Sequence, residues 1–215
     1  MFRSVILLAL VALILLPTTA LATTPELGAA WGWSWGGSAD TRNLGRLRLD
    51  PAQDLSGVLS IPVGRLNWGE LHYTWRSTAM TRDGAGFHQS LTDLSIHTIQ
   101  LAGLRSLRPG PVQPFLMGGI GTTYFSPSES FVDIEGDRYN LDSTWRLSFL
   151  LGVGAKVWLG EAEKVGLRVQ LRTMPALYNS STGIWFGTGG SSVSISGNAI
   201  WQWDVTAGLS VKLGG

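Results

Sequence analysis

Strict alternation of apolar and polar side chains is the sequence feature that most constrains this fold. Between residues 144 and 159, every second side chain is apolar: Trp145, Leu147, Phe149, Leu151, Val153, Ala155, Val157 and Leu159. The intervening positions hold Arg146, Ser148, Leu150, Gly152, Gly154, Lys156 and Trp158. Because successive side chains of a strand point to opposite faces, this period of two predicts a β-strand with one apolar face and one mixed face.

The same period recurs along the chain. In the last segment, Trp201, Trp203, Val205, Ala207, Leu209, Val211 and Leu213 alternate with polar or small residues, and "GELHYTWR" and "VGLRVQLR" alternate similarly. We expect eight strands, at residues 26–37, 54–63, 67–77, 91–104, 112–125, 144–159, 165–177 and 199–213. The second and fourth of these are less regular than the others.

The connections between these segments alternate in length. Residues 38–53, 78–90, 126–143 and 178–198 are long, whereas 64–66, 105–111 and 160–164 are shorter. This arrangement predicts an all-β fold, an eight-stranded antiparallel up-and-down transmembrane β-barrel with four long extracellular loops and three short periplasmic turns. Both chain termini then lie in the periplasm.

The first residues have the layout of a secretory signal. Arg3 precedes an apolar run from Val5 to Leu16, and the small residues Ala20 and Ala22 precede an expected cleavage site after Ala22. We expect residues 1–22 to be a signal peptide and 23–215 to be one barrel domain. Removal of Arg3 leaves 15 basic and 15 acidic residues, so no basic excess points to nucleic acid. The chain has no cysteine and therefore no disulfide.

Aromatic side chains concentrate at the expected long-loop end of the strands. The stretch "WGWSWGG" places three indoles on one face and Gly32, Ser34 and Gly36 on the other. The residues expected at the outer lipid interface are Trp31, Trp33, Trp35, Trp75, Tyr124, Trp145, Trp201 and Trp203. An aromatic belt at one level is typical of a membrane interface, although a soluble periplasmic barrel also alternates.

Several stretches resemble the small eight-stranded outer-membrane barrels of Gram-negative bacteria, the group that includes outer membrane protein W and the barrel domain of outer membrane protein A. The resemblance rests on "WGWSWGGS", "GELHYTWRST", "PFLMGGIGTTYFSP", "FLLGVGAKVWL", "GLRVQLR" and "WQWDVTAGLSVKL". It implies location in the outer membrane, contact with outer-membrane lipid and lipopolysaccharide, and assembly by the barrel-assembly machinery. The chain departs from the group by ending in Leu213, Gly214 and Gly215 instead of an aromatic residue.

Charged side chains on the mixed face define the expected barrel interior. This lumen charge network comprises Glu70, His72, Arg76, Arg146, Lys156, Arg168, Arg172, Asp204 and Lys212. An eight-stranded barrel is barely wide enough for its own side chains, which favours a salt-bridged interior with a structural role. Because the chosen positions hold six cations and two carboxylates, a narrow, anion-leaning passage for small solutes is the second interpretation.

A hydrolase is a third hypothesis, from a different functional class. "FHQS" places His88 two residues before Ser90, with Asp93 nearby, and so resembles the His-x-Ser pair of an outer-membrane lipid A deacylase. Short polar matches of this kind arise freely, so we expect a solvated segment without catalysis. No spacing of acidic or histidine residues predicts a metal site, and we expect no cofactor.

The long loops offer a further alternative, an extracellular ligand-binding or adhesin-like surface. Aromatic residues occur in the loops at 126–143 and 178–198, namely Phe131, Tyr139, Trp185 and Phe186. Such side chains serve equally well as binding anchors or as packing within the loops. The sequence leaves these two roles open.

Overall fold

The computed structural model describes residues 24–41, 45–84, 87–128, 131–132, 138–139, 143–160, 163–187 and 190–214. All regular structure in these ranges is β-structure. The strands are β1 (Glu26–Gly36), β2 (Ser38–Thr41), β3 (Gly45–Leu49), β4 (Ala52–Pro62), β5 (Asn67–Gly84), β6 (Phe87–Ser106), β7 (Val112–Pro127), β8 (Phe131–Val132), β9 (Arg138–Tyr139), β10 (Thr144–Leu159), β11 (Val165–Thr173), β12 (Ala176–Gly187), β13 (Gly190–Ile200) and β14 (Gln202–Lys212).

Eight of these strands close into a barrel. Their order is β11, β14, β1, β4, β5, β6, β7 and β10, and β10 pairs back onto β11. Every barrel pairing is antiparallel, including the closing β1–β14 and β10–β11 contacts. Closure leaves no free sheet edge among the barrel strands, which is what a strand-built membrane protein requires. The predicted eight-stranded antiparallel barrel is therefore confirmed.

The long connections carry β-structure of their own. β2 pairs with β3 and β12 pairs with β13, while β5 and β6 remain paired as far as Gly84 and Phe87. The predicted loop segments 38–53, 78–90 and 178–198 are therefore largely hairpins. Sequence alternation misses them because a hairpin standing outside the barrel wall has no lipid-facing side that must be apolar.

The predicted seventh strand, 165–177, is interrupted. β11 ends at Thr173 and β12 starts at Ala176, with Met174 and Pro175 between them. Proline has no N–H to continue a ladder, and here its carbonyl instead accepts a hydrogen bond from Phe149 N at 3.0 Å. Beyond this interruption, Ala176 still pairs with Ser148 of β10, and β12 then continues into the β12–β13 hairpin.

The two faces of the barrel differ as the alternation predicts. Leu151, Val153, Leu167, Val169 and Leu209 are among the large apolar side chains exposed on the outside. Their sequence neighbours Arg168, Gln170 and Arg172 are buried inside. No helix among the described residues is long and apolar enough to span a membrane.

Candidate functional site

The barrel interior has one polar wall and one apolar wall. Strands β5 and β11 contribute most of the buried charged residues, and β14, β1, β4 and β10 contribute one each, namely Asp204, Glu26, Asp54 and Lys156. Besides Lys156, the facing strands β6, β7 and β10 contribute an apolar cluster of Ala102, Leu104, Phe115, Met117 and Leu150, together with Met174 and the half-buried Trp68. This apolar wall explains why alternation is weak in β6, since both of its faces are apolar there.

Glu70 on β5 is the centre of the polar wall. Its two carboxylate oxygens accept hydrogen bonds from Arg168 Nη1 and Nη2 at 2.7 and 2.8 Å. Ser60 Oγ donates to Glu70 Oε1 at 2.7 Å, and His72 Nε2 lies 2.8 Å from Oε2. Bidentate guanidinium–carboxylate pairing of this kind is the strongest form of side-chain ion pair. The Glu70 carboxylate is thereby saturated with donors.

A second bidentate pair lies nearer the long-loop end. Arg172 Nε and Nη2 donate to the two oxygens of Asp204 at 2.9 and 2.8 Å. Arg172 Nη1 also lies 3.5 Å from His72 Nδ1, which links this pair to the Glu70 group. Arg76 Nη2 donates to Gln202 Oε1, still closer to the long-loop end. The result is one connected network rather than isolated ion pairs.

Two carboxylates in the interior were missing from the sequence-based set. Lys156 Nζ donates to Glu26 Oε2 at 2.5 Å, and Asp54 lies directly opposite Arg76 in the β4–β5 register. Both carboxylates are buried. The period of two could have placed both carboxylates on the inner face. Glu26 shares a face with Gly28 and Gly32, and Asp54 shares one with Ser56 and Ser60.

With these additions the buried charges balance. Four cations, Arg76, Lys156, Arg168 and Arg172, share the described interior with four carboxylates, Glu26, Asp54, Glu70 and Asp204. The two remaining predicted cations are less buried. Arg146 faces inward but is half-buried, and Lys212 Nζ lies 3.5 Å from Glu163 Oε2 at the tight-turn end. The expected cation excess thus disappears from the buried core of the barrel.

Apolar residues also cover the interior at the long-loop end. Leu49, Leu94, Ile96, Phe125 and Ala176 form one buried cluster. Met80 and Ile200 pack against it. These side chains come from β3, β6, β7 and the β12–β13 hairpin as well as β5, so the strand extensions at the long-loop end close over this mouth of the barrel.

All eight predicted interface aromatics lie on the outer face of the barrel. Seven tryptophans, Trp31, Trp33, Trp35, Trp75, Trp145, Trp201 and Trp203, are between 38% and 59% exposed. Tyr124 is half-buried, with its ring centroid 4.7 Å from that of Trp145. His97 also faces outward, and its Nδ1 lies 2.9 Å from the Tyr73 hydroxyl.

The hydrolase and loop hypotheses fall mostly outside the described side chains. Ser90 and Asp93 are exposed, whereas the side chains of His88, Phe131, Tyr139, Trp185 and Phe186 lie outside the described part. The β5–β6 register shifts between Met80 and Thr81, directly beside Ser90 and Thr92. Among the described residues, no group of three or more His, Asp or Glu side chains is placed to hold a metal ion.

Comparison with solved structures places this fold among outer-membrane barrels. Neisserial surface protein A and the outer membrane protein OprG of Pseudomonas aeruginosa each have a TM-score of 0.55 at 13% identity, covering 88% of this chain and 97% of theirs. A major outer membrane protein from Thermus thermophilus has a TM-score of 0.51 at 16% identity, with 88% and 99% covered. No protein-family model and no curated protein matches this sequence. The chain shares the fold of these small outer-membrane proteins, which supports the predicted location in the outer membrane.

Proposed function

We propose that this protein is a non-enzymatic structural barrel of the outer membrane whose filled interior passes no solute. The observation that carries the proposal is the burial of the interior side chains. Arg172, Asp204, Ser34 and Ser148 are 0% exposed, and Arg168 and Glu70 are 2% exposed. Side chains that line a wet passage have surface that a water molecule touches, and these have almost none.

Several of the polar contacts run across the barrel, between strands that are not neighbours. Arg168 and Glu70 join β11 to β5, four strands apart in the ring of eight, and Lys156 and Glu26 join β10 to β1. Arg76 and Gln202 join β5 to β14. Each of these contacts holds two distant strands of the barrel at a fixed separation. The network therefore stabilises the cross-section of the barrel. This geometry supports a structural role over an anion-leaning passage.

Cysteine accessibility tests the filled interior, because the chain has no cysteine of its own. Ser34→Cys and Ser148→Cys place small thiols on the inner face of β1 and β10, and Ser128→Cys places an exposed control thiol beyond β7. In refolded protein we expect a charged, water-soluble thiosulfonate to label only Ser128→Cys. All three thiols should react after unfolding.

Labelling of both interior thiols in the folded barrel, at a rate close to that of the control, would contradict the proposal. That result would favour the second interpretation, a narrow passage for small solutes. In that case the cations Arg146 and Arg172 become the residues to test for anion preference.

The proposal also includes orientation and partners. With the tight turns and both termini on the periplasmic side, the aromatic residues of the outer face lie near the outer headgroups, in contact with lipopolysaccharide. Insertion by the barrel-assembly machinery and cleavage of residues 1–22 complete this proposal. Partial proteolysis of intact cells, compared with permeabilised cells, tests the orientation, since only the long-loop end is then accessible from outside.

A further inference from the structure

An apolar groove of about 210 Å³ lies on the outer surface of the barrel at the tight-turn end of β4, β5 and β6. Its walls are Leu59, Ile61, Val63, Leu71 and Leu101. Gly69 forms the floor and pairs with Gly103 on β6, which in turn pairs with Gly118 on β7. A Cβ added to Gly103 would meet nothing within 4 Å, so this part of the outer surface is open.

The row of paired glycines runs obliquely across the wall. It begins beside Ile61, which lies at the tight-turn end of β4, and reaches Leu151, which lies midway along β10. Strands of a closed barrel are tilted, so a row perpendicular to them climbs relative to the membrane. The row of glycines leaves an open strip on the outer surface. This strip leads from the inner interface towards the middle of the bilayer, which is the path of a lipid acyl chain.

Cations cluster where this strip meets the inner interface. Arg65 lies in the β4–β5 turn, Arg105 lies on β6 two residues beyond Gly103 on the same face, and Arg108 lies in the β6–β7 turn. All three are exposed, and Arg108 Nε donates to Val112 O at 3.1 Å. Residues 61–69 and 103–114 contain no Asp or Glu, whereas the third turn contains Glu161 and Glu163. Glu70 also lines the groove, but its carboxylate points into the barrel and binds Arg168. The positive charge is therefore local to the groove.

We propose that this groove binds an anionic phospholipid of the periplasmic leaflet. One acyl chain lies against Gly69 and Gly103, and the phosphate is held by Arg65 and Arg105. Guanidinium groups are well suited to phosphate because their planar donors pair with its oxygens. This inference rests on the proposed membrane location, because only a membrane-inserted barrel presents the groove to lipid.

Competition between two lipids tests the proposal. Refolded protein is inserted into vesicles of equal parts phosphatidylglycerol and phosphatidylcholine with identical chains, then released in mild detergent, and its bound lipid is identified by native mass spectrometry. We expect retained phosphatidylglycerol. The double variant Arg65→Gln/Arg105→Gln should lose about thirtyfold of this preference, the effect expected of two surface cations.

Matched variants separate the groove from the general surface. Gly103→Leu should reduce retention of both lipids by filling the strip, whereas Gly57→Leu should not, because Gly57 faces outward with nothing within 4 Å and lies outside the groove lining. Lys164→Gln, in the turn between β10 and β11, controls for removal of a cation from the same rim.

Each outcome bears on a separate claim. A chain that fails to insert into vesicles, judged by the heat-modifiable gel shift, contradicts the membrane location and the lipid site together. An inserted barrel that retains both lipids equally, or whose preference survives Arg65→Gln/Arg105→Gln, overturns the lipid site alone. A dimer mass without lipid would instead assign the groove to a second copy of the chain.

Discussion

Single charged residues in the interior depend on one buried partner, which for Arg172 is Asp204 on the neighbouring strand β14. Arg172 and Asp204 are both fully buried, so each charge relies on the other instead of water. Arg172→Met leaves the Asp204 carboxylate without its bidentate partner, and we expect the free energy of unfolding to fall by about 3 to 5 kcal/mol. Urea unfolding of the refolded barrel measures this loss.

The corresponding change at the rim provides the control. Lys212 pairs with Glu163 at 3.5 Å while its side chain remains 25% exposed. We expect Lys212→Met to change the free energy of unfolding by about 1 kcal/mol or less, because water and salt screen such a pair. Equal losses for the two variants would mean that burial does not strengthen the interior pairs. Restoration by the double variant Arg172→Met/Asp204→Leu would identify the lost partner as the cause.

Some glycines of the inner face leave no room for even one added carbon atom. A Cβ at Gly208 on the inner face would lie 2.0 Å from Ala29 O, which belongs to the neighbouring strand and has no rotamer to adopt. We expect Gly208→Ala to lower the free energy of unfolding by about 3 kcal/mol, at the upper end of overpacking costs.

Gly57 is the matched outer-face position, with nothing within 4 Å of an added Cβ. Gly57→Ala should leave the free energy of unfolding unchanged or raise it by up to about 1 kcal/mol, because alanine restricts the unfolded chain. A similar loss at both glycines would contradict the assignment of inner and outer faces. Urea titration of both variants beside wild type decides the matter.

At the scale of the strand, depth in the membrane sets the tolerance for charge. Leu151 is midway along β10 on the outer face and is 57% exposed, and Leu159 is the last residue of that face. We expect Leu151→Arg to cost about 2 to 4 kcal/mol and Leu159→Arg about 0 to 1 kcal/mol, measured by urea unfolding in lipid vesicles. Equal tolerance at both depths would mean that this face of β10 does not meet hydrocarbon.

The strands differ in how far their sequences reveal them. β10 matches its predicted bounds because every outer-face residue is apolar from Trp145 to Leu159. β5 continues seven residues beyond its predicted end, since the residues after Ser77 no longer need an apolar lipid face. The pairings Lys156–Glu26 and Arg168–Glu70 join residues 130 and 98 positions apart, and no local period encodes such separations. Face assignment thus follows from sequence, whereas the choice of partner depends on barrel closure.

At the scale of the whole molecule, three sets of buried side chains fill the interior of the barrel. The apolar cluster of Leu49, Leu94, Ile96, Phe125 and Ala176 covers the long-loop end, and the network of buried polar contacts fills the middle. The apolar wall around Phe115 and Leu150 occupies the opposite side of the interior. Because the buried cations and carboxylates are equal in number, the interior offers no excess of cations to attract an anion. A filled barrel is therefore the central claim.

Single-channel conductance of the refolded protein in a planar bilayer tests this claim most directly, after a heat-modifiable gel shift has established folding. The account predicts an electrically silent membrane for folded protein in simple salt. Discrete conductance steps that favour anions and shrink in Arg146→Ala/Arg172→Ala protein would contradict it, and would show that the interior opens to a continuous aqueous path.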